Sequence, residues 1–222
     1  MNLKHIKAVA FDLDGTLVDS IPDLAAAANA MREHLDLPPL PALRIQEHVG
    51  DGIASLVHRA LTNERDGQAD PALWERGYVF FIQYYREHLS DNTAVYPGVA
   101  DGLGLLRALQ LPLAVITNKS ERLAVPLLEQ LGLRDYFSLV IGGDTLPEKK
   151  PSALPLQHAC QALGIQPEQM AMVGDSANDV LAARNAGSAA VAVSYGYADA
   201  ASLGADLVVA NIAELYDLMK NS

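Results

Sequence analysis

The sequence has little of several features that define whole classes of proteins. It has a single cysteine, Cys160, in 222 residues, so an internal disulfide is excluded and a reducing compartment fits. Basic residues are outnumbered, with 16 lysines and arginines against 27 aspartates and glutamates, and the net charge is −11. Nucleic acids and anionic membranes recruit basic surfaces, so we expect neither as a partner.

Long apolar runs are also missing. The first residues, Met1–Lys7, lack the apolar segment of a signal peptide, and no stretch reaches the roughly 18 consecutive apolar residues of a membrane span. We therefore expect a cytoplasmic protein. Half of the residues are hydrophobic, so the chain can bury a core without a metal or a disulfide. Its length allows either one large domain or a medium-sized domain that carries a second, smaller domain.

Short apolar runs alternate with helical patterns along most of the chain. Runs of this kind, bounded by glycine or polar residues, are typical of buried strands. They are Ile6–Phe11, Leu113–Ile116, Leu139–Ile141, Met170–Val173, Ala189–Val193 and, more weakly, Leu207–Val209. Helical patterns separate them at Val99–Leu109, Arg122–Leu131, Leu154–Leu163, Asn178–Ala186 and Ile212–Met219. The alternation predicts an α/β fold with a doubly wound parallel sheet, a Rossmann-like core covered by helices.

Residues 17–94 depart from this alternation. The helical patterns in this segment are Ile21–Leu35, Ile53–Leu61 and Pro71–Leu89. A structureless excursion of that length inside a compact domain is implausible. The sequence therefore predicts a core of residues 1–16 and 95–222, with a small all-helical domain of residues 17–94 inserted after the first strand.

Polar side chains follow the apolar runs where ligands bind. In open parallel sheets the carboxyl ends of the strands form the binding crevice. The groups that follow the first four runs are Asp12 and Asp14, Thr117 and Asn118, Lys150, and Asp175 and Asp179. Clustered carboxylates repel one another, and magnesium, which prefers carboxylate and phosphate oxygens, relieves that repulsion. Such a site suits phosphoryl transfer through an aspartyl-phosphate on a carboxylate nucleophile.

The segments around these residues resemble the signatures of one enzyme family. Phe11–Ser20 is similar to the first signature of haloacid dehalogenase-like hydrolases. The other three signatures are similar to Thr117-Asn118-Lys119, Lys150-Pro151 and Gly174–Asp179. The inserted helical segment is similar to the family's cap domain. A narrower likeness to bacterial phosphoglycolate phosphatases lies in Val49–Gly52, Ile141–Asp144 and Ser194–Tyr197.

The resemblance implies a role for each carboxylate. Asp12 would be the nucleophile. Asp14 would be the general acid that protonates the leaving group and then the base that activates water. Magnesium would be held by an Asp12 side-chain oxygen, the Asp14 backbone carbonyl and Asp175. Asp179 would lie outside these ligands and orient either water at the metal or the lysine.

The resemblance also implies the phosphate ligands, Thr117, Asn118 and Lys150, of which the lysine would be catalytic. One segment departs from the family's pattern. The phosphoglycolate group usually has Lys-Pro-His-Pro or Lys-Pro-Asp-Pro where this chain has Lys150-Pro151-Ser152-Ala153. The lysine is retained, so we expect the same chemistry, and the departure bears on how the lysine is positioned and, to a smaller extent, on the substrate.

The resemblance implies a magnesium-dependent phosphatase that hydrolyses 2-phosphoglycolate to glycolate and phosphate. Two other functions of the family remain open, a phosphatase of another small monoester (a sugar phosphate or a nucleotide) and a phosphomutase of the β-phosphoglucomutase kind. From a different class, a non-catalytic binding module also remains open. The expected partner is a small phosphorylated metabolite, and we expect a monomer or a homodimer.

Overall fold

The structure is a computed structural model that describes residues 3–221. The chain divides into two compact units. One consists of Met1–Val18 and Val95–Ser222, and the other consists of Asp19–Ala94. None of the helices within residues 3–221 has both the length and the apolar character that a membrane crossing requires.

The larger unit is built on a parallel sheet. The strands are β1 Ala8–Phe11, β2 Val18–Asp19, β3 Ala94–Val95, β4 Leu113–Ile116, β5 Leu139–Ile141, β6 Met170–Gly174, β7 Ala189–Val193 and β8 Leu207–Val209. Six of them form one sheet in the order β5-β4-β1-β6-β7-β8, while β2 pairs with β3. Phe11 at the end of β1 pairs with Val115 of β4 and Val173 of β6. The predicted doubly wound core is confirmed, and β1 lies where the strand order reverses, the position at which such sheets bind ligands.

The helices agree with the predicted ones except at their ends. They are α1 Ile21–His34, α2 Ala42–Gln46, α3 Ile53–Thr62, α4 Pro71–Glu87, α5 Val99–Ala108, α6 Glu121–Gln130, α7 Leu154–Leu163, α8 Ala177–Ala186 and α9 Ile212–Lys220. Short 3₁₀ turns lie at Arg134–Tyr136, Pro167–Gln169 and Ala200–Ser202. The elements α2, β2 and β3 are absent from the sequence prediction because the five residues of α2 are too few to show a helical period, and the two residues of β2 or β3 do not form an apolar run.

The strands at the centre of the sheet are completely covered. All four residues of β1 are 0% exposed, and a cluster of small side chains packs one face of the sheet against α7 and α8. Ala8 and Ala10 of β1 belong to this cluster, as do Ala159 of α7 and Ala183 of α8. Small residues let helices approach a sheet closely, and close packing resists displacement. The end of β1 is therefore a rigid place for a functional side chain.

In the smaller unit, α4 packs against α1 and α3 through a glycine. A Cβ built on Gly77 of α4 would lie 3.1 Å from Met31 Sδ of α1 and 3.3 Å from Leu61 Cδ1 of α3. The helix begins with strong local signals, since the Asp70 carboxylate accepts from the backbone N–H groups of Ala72 and Leu73 and Pro71 occupies the first helical position.

Asp23 in the first turn of α1 binds the segment that ends this unit. Its buried carboxylate accepts hydrogen bonds from the backbone N–H groups of Asn92 and Thr93, from Asn92 Nδ2 and from Thr93 Oγ1. Burial alone would raise the pKa of Asp23. The hydrogen bonds from Asn92 and Thr93 together lower it by more than burial raises it, so the pKa lies below its ordinary value. The two ends of the smaller unit are thus held together by one carboxylate.

Candidate active site

The ends of β1 and β6 bring three of the predicted acidic residues together. Asp12 directly follows β1, and its backbone N–H donates to the Val173 carbonyl at 2.9 Å, which continues the sheet bonding beyond the strand. Asp175 directly follows β6, and Asp179 lies in the first turn of α8. Carboxylate oxygens of Asp12, Asp175 and Asp179 lie within 4.8 Å of one another.

Asp175 is fixed by two loops. Thr16 Oγ1 donates to Asp175 Oδ1 at 3.2 Å, and the backbone N–H of Tyr197 donates to Asp175 Oδ2 at 2.8 Å. Two glycines make room for the carboxylate, because a Cβ would lie 2.3 Å from Asp175 Oδ2 at Gly15 and 2.2 Å from Asp175 Cβ at Gly196. The signature segments contain Thr16 and Tyr197, but the sequence analysis assigns no role to either residue.

Lys150 connects two of the clustered carboxylates. Its Nζ lies 2.9 Å from Asp12 Oδ1 and 2.6 Å from Asp179 Oδ1, and its side chain is 1% exposed. Asp179 Oδ2 in turn accepts from the backbone N–H and the hydroxyl of Ser176, which forms the capping box of α8. The start of α8 therefore sets the position of Asp179, and Asp179 sets the position of the lysine.

In the segment after Lys150, which departs from the family's pattern, the Ser152 side chain binds residues other than the lysine. Asn118 Nδ2 donates to the Lys150 backbone carbonyl at 3.0 Å, so a neighbouring loop holds the lysine's main chain. The Ser152 hydroxyl donates to Glu148 Oε2 at 2.5 Å and accepts from the Leu154 N–H at 3.1 Å, at the start of α7. Ser152 therefore supports the loop and the helix, while the lysine is positioned by Asn118 and by its ion pairs.

Burial shifts the protonation equilibria of these groups. Burial raises the pKa of Asp12 to about 6, with Lys150 opposing the shift and Asp179 reinforcing it. Burial, followed by the negative charges of Asp179 and Asp12, raises the pKa of Asp175 to about 8. Burial alone would lower the pKa of Lys150. The adjacent Asp12 and Asp179 together raise it by more than burial lowers it, so the pKa of Lys150 lies above its ordinary value. The clustered carboxylates are thus short of positive charge.

The shortage of positive charge near these carboxylates indicates whether a metal ion would fit the site. A cation between the carboxylates would favour their ionised forms, and their oxygens are the ligands that hard divalent cations prefer. The acidic cluster of Asp12, Asp175 and Asp179 therefore fits a divalent cation.

The Asp14 carboxylate is paired outside this cluster. Lys119 Nζ lies 2.8 Å from Asp14 Oδ1 and 3.0 Å from Asp14 Oδ2. Lys119 follows the two predicted phosphate ligands, and its backbone N–H donates to Thr117 Oγ1 at 3.2 Å. Lys119 lies within one of the signature segments, but no role was predicted for it. A charged residue directly after two polar ligands was the available signal.

Comparison with known proteins finds the same family in a sequence profile, in curated relatives and in a solved structure. Residues 6–187 match the sequence profile described as haloacid dehalogenase-like hydrolase. A phosphoglycolate phosphatase of Chromobacterium violaceum is 80% identical over 221 residues and covers 100% of both chains. One from Neisseria meningitidis is 56% identical, over 97% of this chain and 94% of its own. The crystal structure of a predicted phosphoglycolate phosphatase from Haemophilus somnus has a TM-score of 0.91 and 34% identity, over 96% of this chain and 98% of that one.

The chain therefore belongs to the haloacid dehalogenase-like hydrolases and, within them, to the phosphoglycolate phosphatase family. It is an enzyme, and its class is that of the phosphoric monoester hydrolases. The predicted family and enzyme class are confirmed.

Proposed function

We propose that this enzyme hydrolyses 2-phosphoglycolate to glycolate and phosphate with the help of Mg²⁺. The observation that carries the chemistry is the contact of Asp12 with buried Lys150 beside two further carboxylates, at the end of the central strand. The substrate is supported by relatives that are named phosphoglycolate phosphatase and that are 80% and 56% identical to this chain.

In the proposed reaction Asp12 and Asp14 divide the work. An Asp12 carboxylate oxygen attacks phosphorus, the Asp12 O–P bond forms and the bond from phosphorus to the glycolate oxygen breaks. Asp14 gives its proton to the departing alkoxide, so glycolate leaves with a neutral hydroxyl. Asp14, now a carboxylate, takes a proton from water as the water oxygen attacks phosphorus and the Asp12 O–P bond breaks. Phosphate leaves, and both aspartates return to their starting forms.

The remaining side chains would bind and orient the phosphoryl group. Thr117, Asn118 and Lys150 would bind its oxygens, with the Lys150 ammonium held in advance by Asp12 and Asp179. A preorganised cation of this kind stabilises charge that develops in the transition state. Asp179 would act as an orienting residue, because one of its oxygens holds the lysine and the other is bound by Ser176.

Mg²⁺ would be held by an Asp12 side-chain oxygen, the Asp14 backbone carbonyl and Asp175. When bound it would supply positive charge to the carboxylates and to the phosphate oxygens. The support from this chain is the acidic cluster and the raised pKa of Asp12 and Asp175.

We further propose that residues 17–94 are a helical cap domain and that residues 1–16 and 95–222 are the catalytic core. Support comes from the four helices of the Asp19–Ala94 unit and from the sheet of the other unit. The buried free thiol of Cys160 supports a cytoplasmic location. The proposed partner is a small phosphorylated metabolite, and the enzyme would act as a monomer or a homodimer.

A substrate comparison tests the proposal. We would measure kcat/KM for 2-phosphoglycolate, sugar phosphates, nucleotides and β-glucose 1-phosphate with Mg²⁺, using Asp12→Asn as the control for contaminating phosphatases. We expect 2-phosphoglycolate to be preferred. A tenfold preference for a rival, about 1.4 kcal/mol in the transition state, would overturn the substrate assignment. Conversion of β-glucose 1-phosphate to an isomer without release of phosphate would show a phosphomutase instead.

A further inference from the structure

The ion pair between Lys119 and Asp14 joins two loops that are far apart in sequence. Lys119 follows β4, whereas Asp14 follows β1, and both residues belong to the larger unit. The Lys119 side chain is 2% exposed and that of Asp14 is 14% exposed. The ammonium contacts both carboxylate oxygens, at 2.8 and 3.0 Å, so the contact fixes the orientation of the carboxylate as well as its position.

The main chain is held on both sides of this pair. The Lys119 N–H donates to Thr117 Oγ1, and the Lys119 carbonyl accepts from the Gly143 N–H at 2.8 Å. The backbone of Asp14 forms an isolated β-bridge with that of Val18, in the turn after β1. The two side chains therefore meet from anchored positions and not from mobile loops.

A buried ammonium is costly unless a partner compensates its lost hydration. Many partners would meet that need equally well, including backbone carbonyls. The partner here is the carboxylate to which the proposed function gives both proton transfers, and proton transfer requires that carboxylate to point at the reacting oxygen. The choice of partner is therefore informative about function.

We propose that Lys119 is a positioning residue that holds the Asp14 carboxylate in the orientation needed for proton transfer. This inference rests on the proposed function, in which Asp14 protonates the leaving alkoxide. When Asp14 carries its proton on one oxygen, the other oxygen can keep its bond to Lys119. The lysine thus restricts rotation of the carboxyl group while leaving one oxygen for the transferred proton.

The inference has a consequence that other roles for Lys119 do not share. An alkoxide leaving group needs a proton as its bond to phosphorus breaks, whereas a nitrophenolate is stable enough to leave without one. Loss of the positioning residue should therefore slow alkyl phosphates and spare aryl phosphates. The parameter kcat/KM reports this step, because it includes departure of the leaving group and excludes later hydrolysis of the aspartyl-phosphate.

The test uses Lys119→Met in the full-length enzyme with Mg²⁺. Three substrates are compared: 2-phosphoglycolate, ethyl phosphate, which lacks the carboxylate, and p-nitrophenyl phosphate. We expect kcat/KM to fall by about 10²-fold for both alkyl esters, the lower end of general acid–base contributions. For the aryl ester we expect a fall of less than about fivefold. Lys149→Met, in the loop before the catalytic lysine, is the matched control and should leave all three values close to wild type.

The other outcomes overturn the inference. An equal loss on all three substrates would mean that Lys119 supports the fold or binds the phosphoryl group. A loss confined to 2-phosphoglycolate would mean that it binds the substrate carboxylate. Lys119→Gln, which keeps N–H donors without the charge, provides a second variant if the methionine variant does not fold.

The Asp14→Asn variant separates the inference from the proposed function. If Asp14→Asn slows alkyl esters selectively and Lys119→Met does not, the role of Lys119 is wrong and the role of Asp14 stands. If Asp14→Asn shows no such selectivity, the acid–base assignment itself fails, and the inference fails with it. In the Asp14→Asn background, Lys119→Met should add no further selectivity between alkyl and aryl esters.

Discussion

Lys150 shows how one buried side chain organises several charges. Its ammonium has almost no contact with solvent, so without partners it would be strongly destabilising. Asp12 and Asp179 compensate it, and the same contacts fix the two carboxylates at a set distance from each other. The cation is thus in place before a substrate arrives, and no reorganisation is needed when charge develops on a phosphoryl group.

Replacing Asp12 should separate chemistry from folding. We expect Asp12→Asn to abolish turnover, because a carboxamide cannot form the aspartyl-phosphate, while the similar volume preserves packing at the end of β1. Steady-state assays would measure the loss, and circular dichroism would check the fold. Turnover at the wild-type rate would refute the aspartyl-phosphate mechanism.

The two adjacent lysines should behave differently. Lys150→Ala should lower kcat by roughly 10²–10³-fold, on the scale of one lost transition-state donor. Lys149→Ala should change kcat little, because it is Lys150 that forms the ion pairs with the acidic cluster. If Lys149→Ala is the inactive variant and Lys150→Ala retains activity, the assignment of the catalytic lysine is wrong.

The strand ends explain why the sequence predicts most of this site. Buried parallel strands are continuous apolar runs, so the polar residue after each run stands out, as Asp12 and Asp175 do. Lys119 lies at an equally visible position, but its contact with Asp14 spans 105 residues and depends on the directions of two side chains. Local patterns contain no information about such a contact, so its role could not be predicted.

Short elements were beyond sequence prediction for a different reason. The helix α2 has five residues, and β2 and β3 have two each. These elements form only when the folded chain supplies their partners. The strand β2, for example, pairs with β3, which follows it in the sequence only after the entire helical segment. The longer helices were predictable because repeated apolar positions define a buried face over several turns.

The loop at Gly196 should control the metal site through Asp175. Gly196→Ala would place a methyl group 2.2 Å from Asp175 Cβ and 2.7 Å from the Gly15 carbonyl oxygen, so the loop or the carboxylate must move. If Mg²⁺ binds as proposed, it should raise the melting temperature of the wild-type protein, and we expect the variant to lose most of that rise. Calorimetry with and without Mg²⁺ would measure this effect.

Gly104→Ala is the matched control, because nothing lies within 4 Å of a Cβ built at that exposed position in α5. It should keep the full response to Mg²⁺ and should raise stability by up to about 1 kcal/mol, as alanine does in a helix. An undiminished Mg²⁺ response in Gly196→Ala would show that Asp175 does not need this loop.

Asp23 should make the smaller unit sensitive to acid. We expect Asp23→Asn to lower the free energy of unfolding at pH 7 by about 1–3 kcal/mol, the range for losing hydrogen bonds to a buried charged group. The pKa of Asp23 is depressed in the folded protein, so its contribution is complete above its ordinary value of 3.8. The contribution is lost as the pH falls through the folded-state pKa.

Urea unfolding of both proteins at several pH values would test this prediction. The difference between wild type and Asp23→Asn should be constant near neutral pH and should shrink below about pH 4. A difference that does not change down to pH 2 would show that the charge of Asp23 does not stabilise the unit.

The charge of the whole molecule differs in sign from the charge that its site needs. The chain carries a net charge of −11, yet the proposed substrate is an anion. Exposed charges more than about 8 Å away are largely screened at physiological salt. The buried ammonium groups of Lys119 and Lys150 are much less screened, but each is paired with a carboxylate, so a positive field at the site would also need the proposed divalent cation. The negative net charge of the molecule is therefore compatible with a small anionic substrate.

The position of β1 has a consequence for the order of events during synthesis. The central strand of the sheet is made first, but its neighbours β4 and β6 begin only at Leu113 and Met170. The Asp19–Ala94 unit is contiguous and emerges completely before either neighbour exists. Because sheet pairing must wait for distant segments, a nascent chain holds the strand that precedes Asp12 unpaired while the helical unit is already able to fold. The larger unit is thus the last part of the molecule to be assembled.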